Sequence, residues 1–421
     1  MKATIDKSRP EGVVNAPPSK SYTIRALFCA ALSDGISRIR RPLSADDTEA
    51  ATGVLSALGA VIDRKGADWS VTGGQLTATR RRLDCRQSAA TLRFLTPVCA
   101  MLSGVSRLVF DPALGRRPQT PLRDILSQLG VSSEMSGNNL NIYGRGGETT
   151  STEVALPGDI SSQFISGLLL AAPLARRGLC IRLSSPVESR EYIRMTIDCL
   201  ARFGIDVETD ADLRKFTVRP QNYRPADYTV EGDWSSASYF LGLGALAGRI
   251  TVRGLSRDSF QADRFMLNCL RSLNAETDVA DDGSLTVSRS PLNGMEADLN
   301  ESIDLLPTVA CLCAAAKGHS ALSGIGRARL KESDRVAAVT ENLLRMGIPV
   351  IQEDYLMMME GGQPHGAVID SCGDHRIAMA FAMLASVCGD TVIEGAECVG
   401  KTYPGFWEDY RQAGGKVVLS E

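Results

Sequence analysis

Residues 25–35 read Arg-Ala-Leu-Phe-Cys-Ala-Ala-Leu-Ser-Asp-Gly, an apolar run of helical length that stops at a glycine. Five more runs of this kind follow at intervals of about 70 residues. They are residues 92–104, 164–178, 238–248, 309–318 and 377–389. Because each run is apolar nearly all round, each is expected to be a helix packed inside its domain. The fixed period indicates a chain built from repeated structural units.

A second series with the same period marks an amphipathic helix in each unit. Each member ends in an apolar-x-x-apolar pattern followed by Gly, or by Asn in the fourth copy, and then by a β-rich stretch. The closing residues are Gly59, Gly130, Gly204, Asn274, Gly347 and Gly414. Gly and Asn tolerate the left-handed conformation that ends many helices. Two independent series with one period predict six copies of one α/β unit.

Each unit is predicted to run buried helix, strand, basic loop, amphipathic helix, strand, turn, strand. The sixth unit ends at Lys416-Val417-Val418-Leu419 and lacks its second closing strand. Residues 1–5 are expected to supply that strand, which makes one domain discontinuous. The predicted domains are residues 1–16 with 231–421, and residues 17–230. Each would hold three units, and a ligand cleft is expected between them.

The composition excludes several classes of protein. The 421 residues include 46 Lys or Arg and 49 Asp or Glu, for a net charge of −3, whereas a nucleic-acid-binding protein is expected to be more basic. Most of the eleven cysteines lie in apolar runs, which is typical of reduced thiols in a cytoplasmic protein. With only three histidines, no metal site is expected. No apolar run predicts a membrane span or an export signal.

The residues before each buried helix are polar, and several are cationic. A helix N-terminus offers free N–H groups and about half a positive charge, which suits phosphate or carboxylate. Ser and Asp are also ordinary N-caps, so a structural role stays open for each copy. Lys and Arg in the loop after the next strand add charge, and equivalent loops of repeated units are expected to lie on one face. The polar segments are residues 19–21, 87–91, 161–163, 233–236, 304 and 374–376.

Read in order, these motifs resemble the 5-enolpyruvylshikimate-3-phosphate synthase family over essentially the whole chain. They are residues 18–27, 117–118, 158–164, 231–240, 329–335, 373–379 and 401–404. The resemblance implies transfer of the enolpyruvyl group of phosphoenolpyruvate to the 5-hydroxyl of shikimate 3-phosphate, with release of phosphate, in chorismate and aromatic amino-acid biosynthesis.

The resemblance also implies a fold. It is an α/β fold of two domains that form an inside-out α/β barrel, with six βαβαββ repeats, three per domain, in pseudo-threefold symmetry. The active site is expected in the cleft between the domains. A cytoplasmic monomer without metal or organic cofactor is expected, with two small-molecule substrates as its partners and no nucleic acid or membrane.

Carried over residue by residue, the resemblance implies three catalytic residues. Asp304 would take the proton from the attacking hydroxyl, Glu332 would protonate the methylene carbon, and Lys20 would assist. Addition to an enol ether requires an acid and a base, and a charged intermediate requires fixed cations. The residues implied to bind shikimate 3-phosphate are Lys20, Ser21, Arg25, Ser161, Ser162, Gln163, Ser189, Asp304 and Lys331. Those implied to bind phosphoenolpyruvate are Lys20, Ala89, Arg117, Gln163, Arg335, His375, Arg376 and Lys401.

One motif departs from the family pattern. Where the family usually reads Asn-Ala/Ser-Gly-Thr, this chain has Gln87-Ser88-Ala89-Ala90. The methyl group of Ala89 is expected to crowd the phosphoenolpyruvate site. Glyphosate occupies that site and is longer than phosphoenolpyruvate, so reduced glyphosate sensitivity is predicted. Arg327 also replaces the Asn that the family usually places near Lys331, and that binding role is not carried over.

The sequence leaves four alternatives. Enolpyruvyl transferases acting on UDP-N-acetylglucosamine share the six-unit architecture, but they normally place a Cys in the loop that reads Ala113-Leu114-Gly115-Arg116 here. A P-loop kinase would require glycines where Val14 and Ser19 stand. The glycines within residues 242–248 lie in a helix rather than after a strand, which argues against a dinucleotide fold. The fourth is a non-catalytic anion-binding protein, since a fold alone does not determine function.

Overall fold

In the computed structural model, which describes residues 1–421, the first two strands of the chain pair with strands of its C-terminal half. They are β1 (Lys2–Asp6) and β2 (Glu11–Asn15). Two units result: the discontinuous unit, Met1–Pro17 with Glu231–Glu421, and the inserted unit, Pro18–Val230. Each unit has a separate hydrophobic core.

The inserted unit buries three helices nearly all round, and these are α1, α3 and α6 in the chain order that follows. Its helices are α1 (Lys20–Leu32), α2 (Asp46–Leu58), α3 (Ala89–Met101), α4 (Pro112–Gly115), α5 (Thr120–Gln128), α6 (Ser162–Ala171) and α7 (Arg190–Arg202). Its strands are β3 (Gly35–Arg40), β4 (Val61–Asp63), β5 (Trp69–Gly73), β6 (Arg82–Asp84), β7 (Ser103–Val109), β8 (Ser132–Ser136), β9 (Asn139–Arg145), β10 (Glu153–Leu156), β11 (Leu179–Leu183), β12 (Glu208–Thr209), β13 (Lys215–Val218) and β14 (Asp227–Thr229).

The discontinuous unit has the same plan, with α8, α10 and α12 buried. Its helices are α8 (Trp234–Ala247), α9 (Met266–Ser272), α10 (Leu306–Ala314), α11 (Arg335–Arg345), α12 (His375–Cys388) and α13 (Phe406–Gln412). Its further strands are β15 (Arg249–Arg253), β16 (Glu276–Val279), β17 (Leu285–Ser288), β18 (Glu296–Asp298), β19 (Gly318–Ser323), β20 (Val350–Gln352), β21 (Leu356–Gly361), β22 (Val368–Asp370), β23 (Thr391–Glu394) and β24 (Lys416–Ser420). Short 3-10 turns span Ala172–Leu174, Ala262–Phe265, Ile303–Leu305, Gly326–Leu330 and Ala396–Lys401.

The strands form six separate four-stranded sheets, one for each repeat. In each sheet one pair is parallel and two are antiparallel, as where β6 runs parallel to β7 and β9 runs antiparallel to β7 and β8. The unit is thus β-α-β-α-β-β, with a strand before the buried helix. The strand orders are β14-β3-β5-β4, β6-β7-β9-β8, β10-β11-β13-β12, β16-β17-β15-β2, β18-β19-β21-β20 and β22-β23-β1-β24.

Three of the sheets are completed by a strand from a distant part of the sequence. Strand β1 lies between β23 and β24, with Ala3 opposite Ile393 and Leu419, which confirms that the N-terminus completes the sixth unit. Strand β2 pairs with β15, and β14 pairs with β3, each in parallel. The predicted barrel has its helices buried and its strands half-exposed, but the sheets do not join into one closed barrel.

The helix ends follow the expected chemistry. All six closing residues of the amphipathic helices have positive φ, from 59° at Asn274 to 119° at Gly59, which confirms the predicted left-handed caps. Side-chain oxygens of Ser88, Ser161 and Asp374 cap α3, α6 and α12. None of the helices combines the length and the apolar character that spanning a bilayer requires.

Candidate active site

In the discontinuous unit, one buried arginine joins three carboxylates near the starts of three helices. Arg335 is the first residue of α11, and only 1% of it is exposed. Its Nε lies 2.7 Å from Oδ2 of Asp374, the cap of α12. Its Nη1 lies 2.7 Å from Oδ1 of Asp304, and its Nη2 lies 2.6 Å from Oε2 of Glu332. The guanidinium of Arg335 therefore binds Asp304, the implied base, and Glu332, the implied acid, through different nitrogens.

Three further cations surround the same two carboxylates. Nη2 of Arg376 lies 2.9 Å from Oδ2 of Asp304, and Nζ of Lys331 lies 3.3 Å from its Oδ1. Nζ of Lys401 lies 3.7 Å from Oε1 of Glu332. Asp304 itself lies in the 3-10 turn before α10 rather than at a helix cap. The structure thus brings together the residues of this unit that the resemblance implied for catalysis and substrate binding, namely Asp304, Lys331, Glu332, Arg335, His375, Arg376 and Lys401.

The surrounding charges decide the protonation state of Asp304. Burial by itself raises the pKa of this carboxyl, but the charges of Arg376, Lys331 and Arg335 outweigh it and hold the pKa well below its usual value. Burial lowers the pKa of Lys331 to about 8, and the charge of Asp304 opposes that shift. Asp304 is therefore an anion at neutral pH and is able to accept a proton.

Two more residues border this cluster. His375 begins α12 with its ring buried, and its Nδ1 lies 3.7 Å from Oδ1 of Asp374. Nη2 of Arg327 lies 3.1 Å from Oδ1 of Asn300. The charge of Arg327 also contributes to the lowered pKa of Lys331. The residue that replaces the family's usual Asn thus adds positive charge next to Lys331.

In the inserted unit, α1 presents Lys20 and Ser21 at its N-terminus. Nζ of Lys20 lies 3.2 Å from Oδ2 of Asp47, the second residue of α2. The guanidinium of Arg25 is buried one turn further along, where Nη1 donates to the carbonyl of Ser21 at 2.9 Å and Nε to the hydroxyl of Thr196 at 2.8 Å. The resemblance implies Arg25 as a ligand of shikimate 3-phosphate, and in the structure this arginine also supports the backbone of Ser21.

A second buried arginine, Arg93 on α3, orders polar residues at the start of α6. Nη1 of Arg93 donates to Oε1 of Gln163 at 2.9 Å and to the hydroxyl of Ser161 at 3.3 Å. Its Nη2 donates to the carbonyl of Pro118 at 3.2 Å. Arg93 therefore links Gln163 to Pro118, the residue that directly follows Arg117.

The other predicted residues of this unit lie at helix starts. Ala89 is the first residue of α3 and is buried, so its methyl group lies beside the free N–H groups of that helix. Ser162 begins α6 and is buried as well. Ser189 precedes α7 in the left-handed region, with φ 57° and ψ 49°. Such a conformation costs about 1–3 kcal/mol outside glycine and is concentrated at functional sites.

Sequence reasoning missed three residues that position this machinery: Asp374, Arg93 and Asp47. The sequence places Asp374 among the polar residues before a buried helix, but it does not indicate that this carboxylate binds Arg335. The signal for Arg93 was available, because a cation inside the apolar run 92–104 must find polar partners within the core. Asp47 had no such signal, since acidic residues in the first turn of a helix are common.

Comparison with known proteins identifies the family. The sequence model described as "EPSP synthase (3-phosphoshikimate 1-carboxyvinyltransferase)" matches residues 5–410. The chain belongs to the EPSP synthase family. A 3-phosphoshikimate 1-carboxyvinyltransferase from Dehalococcoides mccartyi is 49% identical over 420 residues, covering 99% of both chains. One from Methanothermobacter thermautotrophicus is 40% identical over 430 residues, covering 100% of both.

Solved structures show the same fold at lower identity. An EPSP synthase from Acinetobacter baumannii superposes with a TM-score of 0.84 at 23% identity, covering 100% of both chains. The enolpyruvyl transferase NikO from Streptomyces tendae superposes with a TM-score of 0.81 at 17% identity, covering 100% of this chain and 98% of that one. The two-domain α/β architecture with repeated units is therefore that of enolpyruvyl transferases.

Proposed function

We propose that this chain transfers the enolpyruvyl group of phosphoenolpyruvate to the 5-hydroxyl of shikimate 3-phosphate and releases phosphate. The observation that carries the proposal is the contact of Asp304 and Glu332 with one guanidinium, that of Arg335. Around them lie further cations that suit a phosphate and two carboxylates. The names of full-length relatives at 49% and 40% identity support the same reaction.

In the proposed reaction one carboxyl group accepts a proton and the other donates one. The 5-oxygen forms a bond to C2 of phosphoenolpyruvate while Asp304 takes the hydroxyl proton and Glu332 delivers a proton to C3. The C–O bond to phosphate then breaks while the departing phosphate takes the proton that Asp304 holds. Glu332 takes a proton back from C3, and the double bond is restored. Arg335, Arg376 and Lys401 stabilise the charge on the tetrahedral intermediate, as fixed cations do best in a site that excludes water.

The polar helix starts of the inserted unit complete the proposed substrate site. Lys20 contacts both substrates and assists the proton transfers. Arg117, Gln163 and Ala89 contact phosphoenolpyruvate, while Ser21, Arg25, Ser161, Ser162, Gln163 and Ser189 bind shikimate 3-phosphate. Arg25 and Arg93 support this proposal, because their hydrogen bonds hold Ser21 and Gln163 in place. Residues of both units are proposed to act on the same pair of substrates.

The same proposal covers the state of the enzyme in the cell. It works as a monomer in the cytoplasm, without metal or organic cofactor and without nucleic acid as partner. All eleven cysteines are free thiols and seven are buried, which suits a reducing compartment. Size-exclusion chromatography with light scattering tests the monomer, and an assay after treatment with EDTA tests metal independence.

The wild-type protein is expected to release phosphate only when phosphoenolpyruvate and shikimate 3-phosphate are both present. A coupled phosphate assay measures this, with each substrate omitted in turn as control. If UDP-N-acetylglucosamine replaces shikimate 3-phosphate with equal rate, the sugar-nucleotide reaction is the correct one. Tight binding of shikimate 3-phosphate without any phosphate release would identify a non-catalytic binding protein.

The Ala89→Gly variant is expected to be inhibited by glyphosate at concentrations at least about tenfold lower than wild type. A single methyl group in a fitted pocket discriminates by about 10- to 200-fold, and Ala89 places its methyl group at the buried start of α3. Inhibition constants against phosphoenolpyruvate measure the effect. The control is Ala90→Gly, one residue further along the same helix. Equal inhibition of wild type and Ala89→Gly at low micromolar glyphosate contradicts the expectation.

A further inference from the structure

Another buried carboxyl, that of Asp263, lies close to Asp304 and has no role in the chemistry above. Asp263 belongs to the 3-10 turn Ala262–Phe265, and only 2% of it is exposed. Its Oδ2 accepts a hydrogen bond from the hydroxyl of Ser235, near the start of α8. Its Oδ1 is buried without a hydrogen-bond partner. A buried carboxylate oxygen left in this way is unfavourable and calls for an explanation.

The backbone holds Asp263 beside the Asp304 segment. The hydroxyl of Ser302, two residues before Asp304, donates to the carbonyl of Ala262 at 2.7 Å. The turn that carries Asp263 and the turn that carries Asp304 are thus tied together by a buried hydrogen bond. Ser302 is itself only 3% exposed, so this link is shielded from water.

Charged and titratable groups face Asp263 from each element around it. They are Asp304 from the neighbouring turn, Arg376 from α12, Asp233 from the cap of α8 and Cys269 from α9. Burial, together with the negative charge of Asp304, raises the pKa of Asp263 to about 6, while Arg376 opposes the shift. At neutral pH Asp263 is therefore mostly ionised, although its protonated form is close in free energy.

Negative neighbours increase the basicity of Asp304, and the charge of Glu332 already acts in this sense. Three cations hold its pKa well below the usual value, and a carboxylate that is too weakly basic transfers protons inefficiently. Electrostatic coupling between two groups is mutual, so the charge of Asp304 that disfavours ionisation of Asp263 also acts in reverse. An ionised Asp263 makes Asp304 a stronger base.

We propose that Asp263 is a positioning residue that tunes the basicity of Asp304 through its negative charge and that acts without touching the substrate. This inference rests on the proposed function, because it assigns Asp304 the role of base. It also explains the missing hydrogen bond at Oδ1. A carboxylate oxygen with no donor keeps its charge unneutralised and available to act on Asp304.

The Asp263→Asn variant keeps the shape and an acceptor for Ser235 but loses the charge. Its kcat is expected to be about three- to tenfold below wild type near pH 8, with little change in either KM. Because protonation of Asp263 removes the same charge in wild type, the ratio of the two kcat values is expected to approach one below about pH 5. Taking the ratio cancels the titration of the substrate phosphates.

Two control variants separate charge from structure. In wild type, kcat is expected to fall as Asp263 becomes protonated at acid pH. Ser235→Ala removes the hydrogen bond but keeps the carboxylate, so this fall is expected to persist and to occur at a higher pH. Asp258→Asn removes an exposed carboxylate just before the same turn and is expected to behave as wild type. If Ser235→Ala lowers kcat as much as Asp263→Asn and the loss is independent of pH, Asp263 has only a structural role and the proposal fails.

A thermal measurement without substrate tests the titration independently of activity. The pKa of Asp263 is raised in the folded protein, so its stabilising protonated form is lost as pH rises through about 6. The Tm of Asp263→Asn relative to wild type is therefore expected to increase between pH 5 and pH 8. A difference in Tm that does not change with pH overturns the proposal.

Activity assays distinguish failure of this inference from failure of the proposed function. If the wild-type protein is inactive, the proposed function is wrong. If wild type is active and its kcat changes with pH in the same way as that of Asp263→Asn, only the inference about Asp263 is wrong.

Discussion

Asp304→Asn is expected to lower kcat for phosphate release by about a thousandfold, within the range of about 10²- to 10⁴-fold that a general base contributes. The amide retains the size of the side chain and an oxygen for Arg335, but it cannot take the hydroxyl proton. Because Asp304 is held ionised by Arg376, Lys331 and Arg335, the wild-type side chain is a competent acceptor at neutral pH. Steady-state assays with both substrates measure the loss.

Binding separates this effect from damage to the fold. Shikimate 3-phosphate is expected to bind Asp304→Asn within about tenfold of wild type, as measured by calorimetry, because the cations around the site remain. Asp281→Asn, at an exposed turn of the same unit, is the matched control and should keep full activity. If Asp304→Asn retains more than a tenth of wild-type kcat, another group is the base.

Replacing Arg335 by Met is expected to lower the free energy of unfolding by about 3–5 kcal/mol, the usual effect of removing one partner from a buried ionic network. Asp304, Glu332 and Asp374 each lie within 2.7 Å of a different nitrogen of this guanidinium. Without it, three carboxylates share a site that is largely closed to water. Urea unfolding followed by tryptophan fluorescence measures the loss, since Trp234 and Trp407 lie in the same unit.

The loss of unfolding free energy in Arg335→Met is expected to decrease as pH falls. In wild type the pKa of Asp304 is depressed, so its ion pairs contribute stability above the unfolded value and lose it as pH falls. The difference between wild type and Arg335→Met should therefore be largest at neutral pH and shrink in acid. Arg345→Met, at the exposed end of the same helix, should change stability by less than about 1 kcal/mol. Equal losses for the two variants would show that Arg335 is not the centre of the network.

Much of the architecture was predictable because it follows from periodicity. The apolar runs specified which helices are buried, and the Gly and Asn positions specified where the amphipathic helices end. Strand β1 in the sixth sheet was also predictable, since that unit visibly lacked a strand. The pattern of residues did not predict the parallel strand before each buried helix. Strands such as β6 and β22 have only three residues and show little alternation of apolar and polar side chains.

The sequence alone determined which residues stand at the helix starts, and through its resemblance to a family it indicated what chemistry they perform. Only the tertiary structure decided their pairing: that Arg335 joins Asp304, Glu332 and Asp374, and that Asp263 is buried with an oxygen left unbonded. The physical reason is that hydrophobic periodicity specifies which face of a helix is buried. The partners of a buried polar atom come from segments distant in the chain, and they are determined only when the helices pack.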